Sequence, residues 1–151
     1  MLNQPHTILV VDDEPANLRM FTRLLRQRFK VVCAASGEEA LKILRGEKVS
    51  LLIADHHMPG MTGDKLLRES MSINIDMVRM IVTGDNGTDT FISAIKQGGA
   101  VRVIKKPWDP DELLRIILAA LEKYEVVLTN KMAIDRLKET SNLLGRVSRD
   151  S

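Results

Sequence analysis

Three acidic side chains follow an apolar run near the N-terminus of the chain. The segment ILVVDDEP, residues 8–15, passes from four apolar residues directly into Asp12, Asp13 and Glu14. Neighbouring carboxylates repel one another, so this arrangement at the end of a buried strand needs a compensating charge. A divalent cation would supply it, and a site made only of oxygen ligands favours Mg²⁺, which takes a few carboxylates and keeps several waters. The segment therefore predicts a magnesium site.

Further polar residues follow other apolar runs. Asp55 comes after a third run, Thr83 after a fourth, and Lys105 and Lys106 after a fifth. In an open parallel sheet, ligands bind beyond the carboxyl ends of the strands, so these groups would meet the acidic pair at one edge. Each alone has an ordinary explanation, such as a turn-forming Asp or a surface Lys-Pro pair. The ordered set is far more specific than any of its members.

Such a set of groups suits the transfer of a phosphoryl group to a carboxylate. A carboxylate is a poor nucleophile toward an anionic phosphoryl group unless charge is neutralised, which Mg²⁺ does while it orients the oxygens. The product is an acyl phosphate, and a lysine adds a point charge for a phosphoryl oxygen. We predict that this lysine is Lys106 rather than Lys105, because strand side chains alternate in direction and the residue before Pro107 is held extended.

Five short apolar runs would carry these groups as buried parallel strands. They are rich in valine and isoleucine and apolar on both faces. The runs are residues 7–11, 31–35, 51–54, 78–82 and 101–104. Apolar residues at helical spacing lie between them, at residues 18–25, 40–44, 66–67 and 91–95. This alternation predicts an α/β fold in which a five-stranded parallel sheet has helices on both faces, making three layers.

Local signals indicate where several of these helices begin and end. Pro15 suits the first turn of the first helix. Ser36 is a candidate N-cap, with Glu39 at the capping-box spacing behind it. The pair Gly98 and Gly99 predicts a helix end.

The last helix is expected to start near Asp111 and to be too long for one domain. Its first part, up to about Tyr124, has a broad apolar face for packing on the sheet. After that the apolar residues thin out to a heptad-like stripe, and no Gly or Pro interrupts before Gly145. The stripe consists of Val127, Ile134, Leu137 and Leu144, with Asn130 and Ser141 at intermediate positions.

Two interpretations of this extension are open. The stripe resembles a weak coiled-coil seam, in which a polar residue can set the register; the alternative is a solvated tail that frays. We favour the seam. The predicted organisation is a domain over residues 1–124 and a helical extension over residues 125–151, which serves as a coiled-coil linker or joins two chains as a parallel dimer.

Composition excludes several classes of protein. With 151 residues the chain is expected to hold one domain, and 22 Lys and Arg against 20 Asp and Glu leave a formal charge of +2. That near-balance gives no reason to expect a nucleic acid or a membrane surface as partner. A single cysteine, Cys33, forms no disulfide within the chain and fits a reducing compartment. The acids at residues 12–14 interrupt any signal peptide, and no apolar run is long enough to span a bilayer, so we expect a soluble, cytoplasmic protein.

The sequence resembles the receiver domain of bacterial two-component response regulators over roughly residues 7–124. The segments that carry the resemblance are ILVVDDEP, LLIADHHMPGMTG, IVTGD and VIKKPWD. It implies the flavodoxin-like fold, with the five strands in the order 2-1-3-4-5. It also implies a regulatory phosphoacceptor rather than an enzyme, with self-catalysed phosphoryl transfer and slow autodephosphorylation as its only chemistry.

The resemblance assigns a role to each site residue. Asp55 would be the phosphoacceptor and Thr83 the switch hydroxyl. Lys106 would bind the phosphate, and the bond before Pro107 would be cis as in the family. The metal ligands would be Asp13 directly, Asp12 largely through water, Asp55, and the backbone carbonyl of His57.

The resemblance also implies partners. The phosphoryl group would come from a sensor histidine kinase or a phosphotransfer protein. The segment KPWDPDEL resembles receivers whose last helix continues toward an effector domain such as a phosphodiesterase of the HD type, a nucleotide cyclase, a histidine kinase or a transcription activator. No effector motif follows Tyr124, so the chain is either a fragment of a longer protein or acts alone by protein contact. We favour a fragment with the effector downstream, because a lone receiver has little use for a seam of this length.

Several positions depart from the family pattern. Val103 replaces the aromatic residue three positions before the site lysine, which puts ring-based switching in doubt. His56 and His57 follow Asp55, and an imidazole at His57 could tune hydrolysis of the acyl phosphate or be only an exposed loop residue. Gly84 leaves the approach to Asp55 open. In addition, Trp108 is expected to be a packing residue.

Two other functions were weighed against a phosphoryl-accepting domain. A phosphatase with an aspartate nucleophile and Mg²⁺ places its acids as Asp-x-Asp after one strand, whereas Asp12 and Asp13 are adjacent. A receiver-like interaction module that ignores phosphate fits Val103, but the complete set of acids, threonine and lysine argues against it.

Overall fold

The computed structural model describes residue 2, residues 5–84 and residues 102–150, the last five of these through the backbone only. The strands are β1 (Thr7–Val11), β2 (Lys30–Ala34), β3 (Leu51–Asp55), β4 (Val78–Thr83) and β5 (Arg102–Lys105). The helices of the described residues are α1 (Pro15–Leu25), α2 (Gly37–Gly46), α3 (Gly63–Ser70) and α4 (Pro110–Asp150). The predicted strands are confirmed to within one residue at each described end. The helical pattern at residues 91–95 and the Gly98–Gly99 end lie outside the described residues.

All five strands are parallel and follow the order β2-β1-β3-β4-β5, which confirms the predicted flavodoxin-like topology. The register places Val11 opposite Ala54, and Thr83 opposite Lys105. Consequently the carboxyl ends of β1, β3, β4 and β5 lie at one edge of the sheet. This edge holds the residues that the sequence singles out for chemistry.

Two separate apolar clusters pack against the two faces of the sheet. Neighbouring residues of β1 alternate between them, because successive strand side chains point to opposite faces: Leu9 belongs to one cluster and Ile8 to the other. The Leu9 cluster takes its helical residues from α2 and α3, and the Ile8 cluster takes them from α1 and α4. The predicted three-layer architecture is confirmed, and the two-sided burial explains why the strands are apolar on both faces.

Helix starts agree with the local signals, with one difference. Pro15 is the first residue of α1, and the hydroxyl of Ser36 accepts a 3.2 Å hydrogen bond from the amide of Glu39 at the start of α2. The carboxylate of Glu39 accepts from the amide of Ala35 at 3.0 Å, not from that of Ser36. The reciprocal bond of the capping box is thus made one residue earlier than predicted, and it stabilises the approach to the helix as well as its first turn.

A polar cluster holds α4 to the opposite edge of the sheet; we call it the clasp, and its residues are His6, Ser50, Tyr124 and Glu125. The His6 side chain is buried, with Nδ1 2.9 Å from Ser50 Oγ and Nε2 2.7 Å from Glu125 Oε1. The rings of His6 and Tyr124 meet edge to face at 5.9 Å. Because a carboxylate only accepts, Nε2 carries a proton, and the serine hydroxyl can serve Nδ1 as donor or acceptor. The clasp is therefore satisfied with the imidazole neutral or charged.

Replacing His6 with phenylalanine should lower the free energy of unfolding by about 1–3 kcal/mol, because buried polar groups lose a hydrogen-bond partner while a ring remains against Tyr124. Urea unfolding monitored by circular dichroism measures this. The matched control is Lys131→Ala, which removes the exposed ion pair between Lys131 Nζ and Asp76 Oδ2 (2.8 Å). Exposed pairs contribute little to stability, so equal effects of the two changes would contradict the importance given to the clasp.

Beyond the clasp, α4 projects away from the domain. The pair between Lys131 and Asp76 is the last described contact of its side chains with the rest of the chain. The helix continues through Gly145 with large apolar side chains exposed to solvent, among them Ile134 at 52% and Leu137 at 69%. No helix of the described residues is long and apolar enough to cross a membrane.

Candidate functional site

Three carboxylates meet at the carboxyl edge of the sheet. Asp12 and Asp13 follow β1, and Asp55 ends the neighbouring strand β3. One oxygen from each of the three lies within 4.8 Å of the others. Asp12 and Asp55 are only 3% and 7% exposed, whereas Asp13 is exposed. Three acids this close, two of them buried, form a site that a cation would stabilise.

The adjacent acids Asp12 and Asp13 differ in their hydrogen-bond partners within the protein. Asp12 Oδ1 accepts a 2.9 Å hydrogen bond from the backbone amide of Glu14, and Oδ2 accepts a 3.0 Å bond from the side-chain nitrogen Nδ2 of Asn17. The Asp13 carboxylate has no hydrogen-bond or ion-pair partner among the residues described. The free oxygens of Asp13 are therefore available to a metal, while Asp12 is already held in place by the protein.

Asp55 is hydrogen-bonded to a lysine 51 positions later in the chain. Lys106 Nζ donates to Asp55 Oδ1 at 3.1 Å. Burial raises the pKa of Asp55; the hydrogen bond from Lys106 opposes this, and the charges of Asp12 and Asp13 raise the pKa further. Since one lysine does not offset three carboxylates, the site carries excess negative charge. An oxygen-only donor set of this charge fits Mg²⁺.

Lys106, and not Lys105, reaches the acids. Lys105 is the last residue of β5 and its side chain is exposed, whereas Lys106 is half-buried over Asp55. The amide of Lys106 also donates to the carbonyl of Thr83 at 2.8 Å, and its bond to Pro107 is cis, as the resemblance implied. The loop after β5 is thus attached to β4 and aims a single ammonium group at the carboxylates.

Lys106→Ala should reduce the rate of phosphoryl uptake by tenfold or more. The physical reason is that hydrogen bonds to charged groups are each worth about 1.5–3 kcal/mol. Lys105→Ala removes an equal charge from an exposed position and should change little. Rates of labelling with a small acyl phosphate, measured for both variants side by side, give the comparison. Equal or reversed effects would overturn the assignment of Lys106.

The remaining predicted site residues lie around this centre. Thr83 ends β4, next to β3, and is buried. His57 lies two residues after Asp55 and its ring is exposed. Its Nε2 lies 3.4 Å from Nδ1 of His56. The His56 ring also approaches Asp64 Oδ1 at 3.7 Å. Both histidines therefore lie in the loop beside the acids, and one of them contacts the start of α3.

Val103, a departure from the receiver pattern, and Trp108, the predicted packing residue, contact different apolar clusters. Val103 is half-buried and packs against the apolar cluster on the α2 and α3 face, so the position is directed inward although it carries no ring. Trp108 packs against the other cluster, with its ring 5.3 Å from that of Phe21. The tryptophan is a packing residue, as predicted.

The backbone of Asp55 is fixed by its neighbours. The amide of His56 donates to the carbonyl of Val82 at 2.8 Å, and the amide of Gly63 donates to the carbonyl of His56 at 3.0 Å. A Cβ placed on Gly63 would lie 2.3 Å from the backbone oxygen of Asp55. The first residue of α3 therefore packs directly on the acid-bearing backbone, and only glycine fits there.

The fold and the site together define a class of protein: a flavodoxin-like domain whose carboxyl edge holds three carboxylates and a lysine. The chain belongs to the response regulator receiver domain family, whose model matches residues 8–118. This confirms the resemblance found in the sequence motifs. Receiver domains of this family are regulatory parts of two-component systems.

Several curated relatives are transcriptional regulators about three times as long as this chain. The hydrogenase transcriptional regulatory protein HoxA of Bradyrhizobium diazoefficiens is 33% identical over 141 residues, which is 93% of this chain and 29% of the relative. The transcriptional regulatory protein GlrR of Escherichia coli is 32% identical over 97% of this chain and 35% of its own length. The chain thus spans about a third of the length of these relatives.

Solved structures match the domain over most of its length. The receiver domain of an HD domain-containing protein from Pseudomonas fluorescens superimposes with a TM-score of 0.78 at 31% identity, covering 82% of this chain and 99% of that one. An adenylate cyclase structure from Rhodopirellula baltica gives a TM-score of 0.82 at 27% identity, covering 87% and 98% of the two chains. Similar folds are therefore found in proteins with different names.

Proposed function

We propose that Asp55 accepts a phosphoryl group from the phosphohistidine of a sensor histidine kinase or of a phosphotransfer protein. The observation that carries the proposal is the Asp55 carboxylate itself. It is buried, lies within 4.8 Å of two further carboxylates, and is bonded by a single lysine at 3.1 Å. In the transfer, a carboxylate oxygen attacks the phosphorus, the nitrogen–phosphorus bond breaks, and an acyl phosphate forms.

Each residue of the site has a proposed part in this transfer. Asp13, Asp55, the carbonyl of His57 and, through water, Asp12 would hold Mg²⁺, which supplies charge neutralisation for the phosphoryl oxygens. Lys106, whose ammonium group donates to Asp55 Oδ1, would bind one of those oxygens. The chain's own contribution is thus to fix the attacking carboxylate and to place positive charge beside it.

The proposal is tested by phosphorylation with a small acyl-phosphate donor. Intact mass should increase by one phosphoryl group in the presence of Mg²⁺ and not in the presence of a chelator, and Asp55→Asn should abolish the increase. Asp76→Asn is the matched control, because Asp76 is a half-buried carboxylate that pairs with Lys131 away from the site. Uptake that survives in Asp55→Asn, or that needs no Mg²⁺, would overturn the proposal.

The second candidate function is a phosphate-independent interaction module. One observation favours it: the inward-directed position that carries a ring in most receivers is Val103. The same experiment separates the two functions, because the module predicts no mass increase in the wild-type chain.

We propose that residues 1–124 form the receiver domain and residues 125–151 an output element. The boundary coincides with the clasp, where Tyr124 packs in the core and Glu125 bonds His6. Phosphorylation at Asp55 would shift Thr83 and the ends of β4 and β5, and the start of α4 follows β5 directly. The output would pass along α4 to an effector in the full-length cytoplasmic protein.

We further propose that the extension joins two copies of the chain in parallel. The stripe of Val127, Ile134, Leu137 and Leu144 is between 49% and 69% exposed, so none of the described residues of one copy covers it. Fully burying each such side chain contributes roughly 1.5–3 kcal/mol before ordering costs are subtracted. Asn130 and Ser141 interrupt the stripe, so the association should be modest and responsive to small shifts.

Shortening the chain at Tyr124 should therefore abolish dimerisation. Sedimentation of the full chain should show a concentration-dependent dimer, and the shortened chain should stay monomeric at the same concentrations. An acyl-phosphate donor should shift the dimer equilibrium of the full chain by roughly 5–150-fold, the range typical of coupled sites. If both chains are monomers with and without the donor, α4 does not form the dimer interface.

A further inference from the structure

Asn17 contacts the acidic cluster from the first turn of α1. Its side-chain nitrogen donates to Asp12 Oδ2 at 3.0 Å and lies 3.4 Å from a carboxylate oxygen of Glu14. Both contacts are to groups that only accept hydrogen bonds, so the amide nitrogen must face Asp12 and the amide oxygen must face away. The orientation of Asn17 is thereby determined by the charge of its neighbours.

Together with a backbone amide, Asn17 leaves Asp12 little freedom. The amide of Glu14 holds one carboxylate oxygen at 2.9 Å and Asn17 holds the other at 3.0 Å. Asp12 itself is also buried among its neighbours, at 3% exposed. Two donors, one on each oxygen, fix the plane of the carboxylate as well as its position.

The fixed orientation of the Asp12 carboxylate matters because Asp13 and Asp55 lie beside it. Asp12, Asp13 and Asp55 present oxygens within 4.8 Å of one another, and a carboxylate that rotates freely would turn its charge away from the other two. A cation site needs all three charges turned toward one point. Residues that orient metal-binding groups in this way commonly change metal affinity about 10–100-fold when they are removed.

We propose that Asn17 is a positioning residue for the magnesium site, which acts by fixing the carboxylate of Asp12. The inference rests on the proposed function, since it needs a metal at this cluster. It assigns the first turn of α1 a part in metal binding, although none of its side chains belongs to the cluster. A purely structural Asn17 would affect stability and leave the affinity for Mg²⁺ unchanged.

The test is the affinity for Mg²⁺ itself, measured by calorimetry and by the fluorescence of the single tryptophan, Trp108. Asn17→Leu keeps the branched shape and removes the donor, and Mg²⁺ binding should weaken by about tenfold. Asn17→Ala should give the same loss, and because alanine favours helix at this half-buried position it guards against misfolding of the leucine variant. Asn142→Leu is the matched control on an exposed turn of α4.

A second measurement separates positioning from general disturbance. In an Asp12→Asn background the carboxylate that Asn17 holds is gone, so adding Asn17→Leu should cause no further loss of Mg²⁺ affinity. An additive loss would overturn the inference, and so would unchanged affinity in Asn17→Leu and Asn17→Ala. If the wild-type chain binds no Mg²⁺ at all, the proposed function fails first, so the two failures are distinguishable.

Discussion

Replacing Asp13 with asparagine is expected to remove nearly all Mg²⁺-dependent phosphoryl uptake at Asp55. Asp13 is the exposed member of the cluster and its carboxylate has no protein partner in the described ranges, so its oxygens are accessible to a metal ion. Asparagine keeps the size of the side chain but removes its charge. Since residues that only orient a ligand already change affinity about 10–100-fold, loss of a direct ligand should slow labelling by about 100-fold or more.

Labelling rates at a series of Mg²⁺ concentrations give the decisive measurement. A lost ligand shifts the Mg²⁺ dependence to higher concentrations, whereas a misfolded protein loses uptake at every concentration. Asp76→Asn is the matched control, because it makes the same change at a carboxylate that pairs with Lys131 and is not part of the cluster. Normal uptake in Asp13→Asn would show that the metal ligands have been wrongly assigned.

Gly63→Ala should destabilise the protein and disturb its site at once. The new Cβ would lie 2.3 Å from the backbone oxygen of Asp55 and 2.9 Å from the carbonyl carbon. Backbone atoms at the end of a central strand cannot rotate out of the way, so α3 must move outward. Overpacking of this kind typically costs about 1–3 kcal/mol and occasionally more. The variant should unfold at a lower urea concentration and should be labelled with phosphoryl groups more slowly.

The same substitution elsewhere supplies the control. Gly46 is the last residue of α2, and a Cβ there would meet nothing within 4 Å. Gly46→Ala should leave labelling unchanged and raise the free energy of unfolding by about 0.4–1 kcal/mol, because it restricts the unfolded chain. A Gly63→Ala variant as stable as Gly46→Ala would contradict the close packing of α3 on Asp55.

The topology and the acids could be predicted because the sequence signals are local. Each strand is a short run that is apolar on both faces, and the residue after it, such as Asp55, is placed by the strand itself. The parallel order then brings distant residues to one edge. That is why Lys106, 51 positions after Asp55, could be singled out from strand phase and a following proline.

Other features depend on contacts that no local pattern shows. Nothing around His6 indicates a buried imidazole whose partner, Glu125, is 119 positions away. Asn17 looks like any asparagine in a first helical turn, and Gly63 like any glycine in a loop. Their roles follow from the distance between two elements, and that distance is set by packing of the whole domain rather than by residue type.

The clasp fixes the middle of α4, so the part of the helix beyond it can act as a lever arm. The helix is held by Glu125 and Lys131, and its backbone then runs without further described side-chain contacts to Asp150. At about 1.5 Å per residue, the free arm from Lys131 to Asp150 is about 29 Å long, so a tilt of about 5° at its base moves its end by about 2.5 Å. In the proposed output along α4, the length of the arm would set how far its tip moves for a given small movement in the domain.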